Sequence, residues 1–507
     1  MKNILKKTFI VLVAVNFLAC SDLEENPTGV LAPEGFFKST TDVETAIFGA
    51  YGWIASERLW GRQFVTAIML RSDMVDIGDL GTPAERQQVN NFTMDDGNGM
   101  VRQFWPYWYQ VISAANSAIA GAESLGLPEE QINPLIAEAR FIRAFAYYHL
   151  AMNFGDIPYI DFYISDPAMV EQLSTTTKTP EEEVFAKVLD DLRFAKEWLP
   201  DQQPGDVRSR PTKGTAAAYL ADVNLVLHNY DNAYEEAKWV IDNAATFNYQ
   251  LERDYQDLFD ATKADGLRET IFSVDFLGLA GGSGGANDDI MPPMTGIRGA
   301  DELGWSVCVP SMAVYETWDD RDYRKHVSFA DTALIDGVPQ PYTVFANTKR
   351  PHIAKYRRYP GTANNEGRDS DHNYATMRYA EVLLIAAEAL AEVNNGPNAE
   401  AEAYLNEVRA RARYHAGTLS DFPADVPTGL SKEDFINLVL DDRRLELAFE
   451  YKRWYDIKRR DLGEEVFKGF NSLEPHSNFD PARDYRMPLP RTELAINPNL
   501  LPQNPGY

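Results

Sequence analysis

Residues 373–412, NYATMRYAEVLLIAAEALAEVNNGPNAEAEAYLNEVRARA, hold two helical periods separated by one stop signal. Met377, Ala380, Leu384, Ala387 and Leu390 recur at three- and four-residue steps, which places them on one apolar helical face. Asn394-Asn395-Gly396-Pro397 then ends the helix: Gly suits a left-handed cap and Pro cannot continue the ladder. Ala401, Leu405, Val408 and Ala412 mark a second helix beyond the turn. Two helices joined this closely keep an apolar face that neither buries alone, so the pattern demands stacked neighbours.

Pro211–Asn243 supplies one, with its turn at His228-Asn229-Tyr230-Asp231. Ala221 and Ala233 stand twelve residues apart across that turn, as do Ala389 and Ala401, the spacing of small residues in a tetratricopeptide hairpin. Further helices are predicted over Thr41–Ile54, Phe104–Leu125 with Pro106 in its first turn, Glu138–Phe154, Pro180–Leu199 and Ser431–Arg460. Asp442 and Lys452 fall on the apolar track of the last and are expected in buried pairs. Residues 245–372 differ: strand-like Thr270–Phe276, glycine-rich loops and several prolines. A loop-rich stretch of that length inside a helical frame marks a functional face. The fold class is therefore mainly α, stacked tetratricopeptide-like hairpins supporting an irregular ligand-binding face.

The 507 residues carry a formal charge of −28, which opposes nucleic-acid binding. Lys2, Lys6 and Lys7 precede the short apolar run Thr8–Ala19, a secretory signal over residues 1–19 rather than a spanning helix. Phe17-Leu18-Ala19-Cys20 resembles a bacterial lipoprotein cleavage box, so lipid is expected on Cys20. Residues 20–35 then read as an acidic tether, and 36–507 as a single domain. Only two cysteines occur, so no disulfide framework is available.

Several segments together resemble the SusD/RagB-like nutrient-binding lipoproteins of Bacteroidota. They are the lipobox with its acidic tail, the helix leading into Gly155-Asp156-Ile157-Pro158, and Pro310–His326 (PSMAVYETWDDRDYRKH). Met377–Ala389, Arg443–Arg460 and the ending Gln503-Asn504-Pro505-Gly506-Tyr507 complete the likeness. The resemblance implies four tetratricopeptide-like units beneath a face that holds oligosaccharide. It also implies outer-membrane anchoring at the cell surface and a SusC-like TonB-dependent transporter as partner.

Sugars offer C–H faces to aromatic rings and hydroxyls to carboxylates, amides and guanidinium groups. Trp60 and Trp305 each adjoin a glycine in a turn and are the candidate platforms; Trp53, Trp108, Trp198, Trp239 and Trp454 lie in helices and are assigned to packing, as is Trp318. Arg71, Asp73 and Asp76, with Asn287, Asp288 and Asp289, are the candidate polar contacts. Gly281–Gly285 satisfies Gly-x-Ser-x-Gly, but Pro292 and Pro293 oppose the helix a nucleophile elbow needs. Asp319-Asp320 does not fix the carboxylate separation of a glycosidase. No His-Glu-x-x-His or Walker loop occurs, and neither cofactor nor metal is expected. The reading is a non-catalytic glycan-binding lipoprotein. A tetratricopeptide-like interaction scaffold ranks second and a surface glycoside hydrolase third.

Overall fold

Ser39 opens helix α1 (Thr40–Ile54) through a reciprocal cap in which its own N–H donates to Asp42 Oδ2 at 2.8 Å. In the computed structural model, residues 36–164, 167–276, 289–356, 363–364 and 369–507 are described, and Ser39–Tyr507 is one compact unit. Cys20, the tether and Gly281–Gly285 lie outside the described residues.

Helices α2 (Gln63–Leu70), α3 (Ala84–Asn90) and α4 (Gly99–Ser124) follow. Asn98 caps α4 by accepting from the N–H groups of Met100 and Val101. That cap starts α4 five residues earlier than expected, so Pro106 sits inside the helix, not in its first turn. Then come α5 (Glu129–Phe154), α6 (Glu181–Trp198), α7 (Lys213–Val226) and α8 (Tyr230–Asp242). The set ends with α9 (Tyr379–Val393), α10 (Ala399–Ala412), α11 (Lys432–Glu446) and α12 (Arg453–Arg459).

Contacts run α1 on α4, α4 on α5, α5 on α6, α6 on α7, and onward through α8 and α9 to α10, one continuous stack. Ala221, Ala233, Ala389 and Ala401 are all fully buried where the paired helices meet. At the α9–α10 turn Asn395 takes the left-handed conformation (φ 54°), the role expected of Gly396.

One expected helix is two. Ser431–Arg460 breaks after Glu446 because Phe449 (φ 64°) and Tyr451 (φ 67°) adopt left-handed backbone. The break turns Glu450 toward Arg378 and Lys355. Asp442 forms a buried pair with Arg409 at 2.7 Å, and Lys452, partly buried, pairs with buried Glu381 at 2.9 Å.

The Asp442 pair belongs to a buried ionic network that joins insertion to scaffold. Arg378 meets Glu269, Glu446 at 3.1 Å and Glu450 at 2.8 Å. Arg411 binds Glu269 at 2.6 Å and also reaches Glu446. Arg324 binds Asp322 at 2.8 Å and Asp442 at 3.4 Å, and Lys355 binds Glu450 at 2.7 Å. Burial alone would push the Glu446 carboxyl up, but Arg411, Arg378 and Arg324 outweigh it and hold it at about 2.

Four strands matter for the site: β1 (Val75–Ile77), β2 (Thr270–Val274), β3 (Cys308–Pro310) and β4 (Tyr374–Arg378). All pair antiparallel, β1 with β3 and β2 with β4, and so tie the insertion to the frame on two sides.

Candidate functional site

The β1–β3 pairing brings a scaffold loop against an insertion loop. Asp76 lies opposite Val309, and the Gly78 N–H donates to the Val307 carbonyl at 3.0 Å. A Cβ on Gly78 would stand 2.5 Å from the Ser306 carbonyl, so this close approach requires glycine.

Trp305 sits at the neck of loop 296–306. Its N–H donates to the Pro293 carbonyl at 2.7 Å, and the Ser306 N–H to the Gly296 carbonyl at 2.8 Å. Ser306 Oγ accepts from the Arg298 N–H at 2.9 Å and is bonded to His352 Nε2 at 2.8 Å. Burial pushes His352 down to about 4, so its ring stays neutral and holds the neck. Trp305 is half-buried there, while Asp301, Glu302 and Leu303 at the loop's outer edge are exposed.

Charged groups from both loops pair about the β1–β3 ladder. Asp76 Oδ2 pairs with Arg350 Nη1 at 2.9 Å, and its Oδ1 accepts from Asn90 Nδ2 at 2.9 Å. Asp79 Oδ2 pairs with Arg298 Nη2 at 2.7 Å. Ser311, following β3, donates through its N–H to the Met74 carbonyl at 2.9 Å and through its hydroxyl to the Leu473 carbonyl. That draws Glu474 in: burial and the Asp76 charge push its carboxyl up to about 7, against Ser311 and Arg350. Each carboxylate keeps lone pairs and each guanidinium keeps N–H groups beyond its partner, the donor–acceptor set a vicinal diol requires. Among the described residues no three His, Cys, Asp or Glu side chains converge as metal ligands.

Of the sequence candidates, Asp76 and Trp305 lie in this site. Four others need correction. Trp60 is only 3% exposed, stacked on Phe145 and edge-on to Phe64, His149 and Tyr451. Its turn folds inward because the Ile290 N–H bonds the Gly61 carbonyl at 2.9 Å and the insertion covers it. Arg71 is wholly buried, its guanidinium 4.4 Å from the Trp454 ring centroid and donating to the Asp484 carbonyl. Asp73 is buried in a two-pronged pair with Arg453, both bonds 2.8 Å. Asp289 is buried, accepting from Tyr374, Ser370 and the Met291 N–H. Asn287 and Asp288 lie outside the described residues. Trp53, assigned to packing, is exposed, its ring edge-on to Tyr107. Asp79 and Glu474 gave no local signal: their partners stand far away in sequence.

A sequence profile described as "SusD family" matches residues 308–507, and one described as "Starch-binding associating with outer membrane" matches 25–225. SusD-like protein P2 of Formosa agariphila is 51% identical over 512 residues, covering 99% of each chain. Among solved structures, a SusD homolog from Bacteroides thetaiotaomicron superposes with a TM-score of 0.81 at 21% identity, covering 94% of this chain and 98% of that one. A laminarin-binding SusD-like protein gives 0.77 at 22% identity, covering 93% and 100%. Surface glycan-binding protein A from B. thetaiotaomicron, in complex with laminarihexaose, gives 0.76 at 18% identity, covering 92% and 99%. At those identities the structures establish the fold, and the relative at 51% establishes the kinship: this chain belongs to the SusD/RagB family.

Proposed function

We infer that the protein is a non-catalytic glycan-binding lipoprotein of the outer membrane that passes oligosaccharide to a TonB-dependent transporter. The observation that carries the binding reading is the meeting of the Asp76–Arg350 and Asp79–Arg298 pairs where β1 pairs with β3, with half-buried Trp305 on the same insertion loop as Arg298. An aromatic surface beside paired donors and acceptors complements a sugar's apolar face and hydroxyl rim. Support for the ligand class comes from the relatives, two of which are named for laminarin or a laminarin oligosaccharide. The outer-membrane placement rests on the family description and on the Cys20 signal.

Affinity gels containing laminarin, soluble starch or alginate test the binding. The wild-type chain is expected to be retarded by at least one, and Trp305→Ala or Arg350→Ala to lose about tenfold in affinity, the size of one interface anchor. Unchanged retardation of both variants would remove the site. Release of new reducing ends during incubation would replace binding by hydrolysis. The scaffold reading has one observation of its own, a cleft of about 550 Å³ between α5, α6, α7 and α12, floored by Met152, Phe185, Val226 and Leu227. Pull-down of membrane proteins by the Arg350→Ala variant separates partner binding from glycan binding.

A further inference from the structure

Phe470 stands fully exposed, yet the turn that carries it is fixed. The Gly469 N–H donates to the Glu465 carbonyl at 2.9 Å and the Ser472 N–H to the Gly469 carbonyl at 3.1 Å. Ser472 Oγ donates to the Val466 carbonyl at 2.6 Å, and the His476 N–H to the Phe467 carbonyl at 2.9 Å. A Cβ at position 469 would collide with the Glu465 carbonyl, so glycine permits the tight approach. Single exposed apolar residues are ordinary on protein surfaces. A ring carried on a hydrogen-bonded turn differs, because a ligand meeting it orders little further backbone.

The same turn leads into the site described above. Leu473 accepts the Ser311 hydroxyl, and Glu474 lies beside Asp76 and Arg350. Four residues of chain reach at most about 14 Å, so the Phe470 backbone lies within that distance of Glu474. Asn471 and Ser472 add amide and hydroxyl groups between them. A phenyl ring offers no hydrogen bond; what it complements is a flat apolar surface such as the C–H face of a pyranose.

We propose that Phe470 is a second aromatic platform that extends the glycan site beyond Glu474. It takes one sugar of a chain whose other units lie over Asp76, Arg350 and Trp305. The ligand is thus an oligosaccharide of several units, and affinity rises with length until the chain reaches Phe470. This assignment rests on the glycan-binding reading.

The test uses the full chain with Phe470→Ala, Phe470→Tyr and Arg350→Ala in gels containing laminarin, soluble starch or alginate. Calorimetry follows with the trimer and hexamer of whichever polymer retards the wild type. Phe470→Ala is expected to lose about tenfold on polymer and hexamer and nothing on trimer, while Phe470→Tyr keeps binding. Wild-type affinity of Phe470→Ala for hexamer, alongside loss in Arg350→Ala, overturns the platform and leaves the glycan site standing. Loss of a co-purifying membrane protein with glycan binding intact also overturns it, making Phe470 a protein contact. If no polymer retards the wild type, the glycan reading itself fails and this assignment falls with it.

Discussion

Glu474 shows how one side chain records its surroundings. Folding raises its carboxyl from the ordinary 4.5 to about 7. Between those values the unfolded chain has released the proton and the folded chain retains it, so stability from this group falls as pH rises from 4.5 to 7 and is level above. Glu474→Gln removes that slope; its melting temperature relative to wild type is expected to be higher at pH 8 than at pH 5, and an equal difference at both would discount the shift. The same residue scale explains why two tryptophans with one local signature part company. Trp60 and Trp305 both adjoin a glycine, but the Gly61 carbonyl beside Trp60 is bonded by the Ile290 N–H and the Trp60 ring is packed by Phe145 and Tyr451. Those neighbours come from distant segments, which no local pattern reveals. Arg71 and Asp73 read as a charged turn for the same reason, since Arg453 closes on Asp73 from 380 positions away.

At the scale of elements the sequence was more legible. The apolar periods of α7 to α10 and their paired alanines suffice to place two hairpins, because helix-to-helix approach depends on residues close in sequence. Ala233→Phe, inserted where Ala233 is fully buried, is expected to cost about 1–3 kcal/mol by denaturant unfolding. Asp442 and Lys452 betrayed themselves by breaking an apolar track. Asp442→Ala leaves Arg409 without its carboxylate and Arg324 with Asp322 but one partner fewer, and is expected to cost about 3–5 kcal/mol in the same measurement. A cost near zero would mean water replaces the pairs. The division of Ser431–Arg460 was not legible, since helix propensity does not register the pull of Arg378 and Lys355 on Glu450.

The whole molecule adds these groups into one acid response. Burial depresses His352 and His372 to about 4. Each binds a proton when unfolded but not when folded as pH falls from 6.5 toward 4, so stability is lost across that window. Glu446 and Asp456, held at about 2 by arginines despite burial, extend the loss from their unfolded values of 4.5 and 3.8 downward. Thermal melts by near-ultraviolet circular dichroism are expected to fall from pH 6.5 and steepen below 4; a plateau to pH 3 would contradict the paired state. The interlocked charges of Glu269, Arg324 and Lys355 with Arg378, Glu446 and Glu450 have a mechanical meaning too. These charges tie the insertion to the helical frame, so adding ligand is expected to leave the small-angle scattering radius unchanged. On the proposed glycan reading, new sugar preferences would arise by changing the rims near Trp305 and Phe470 while the charged frame stays as it is.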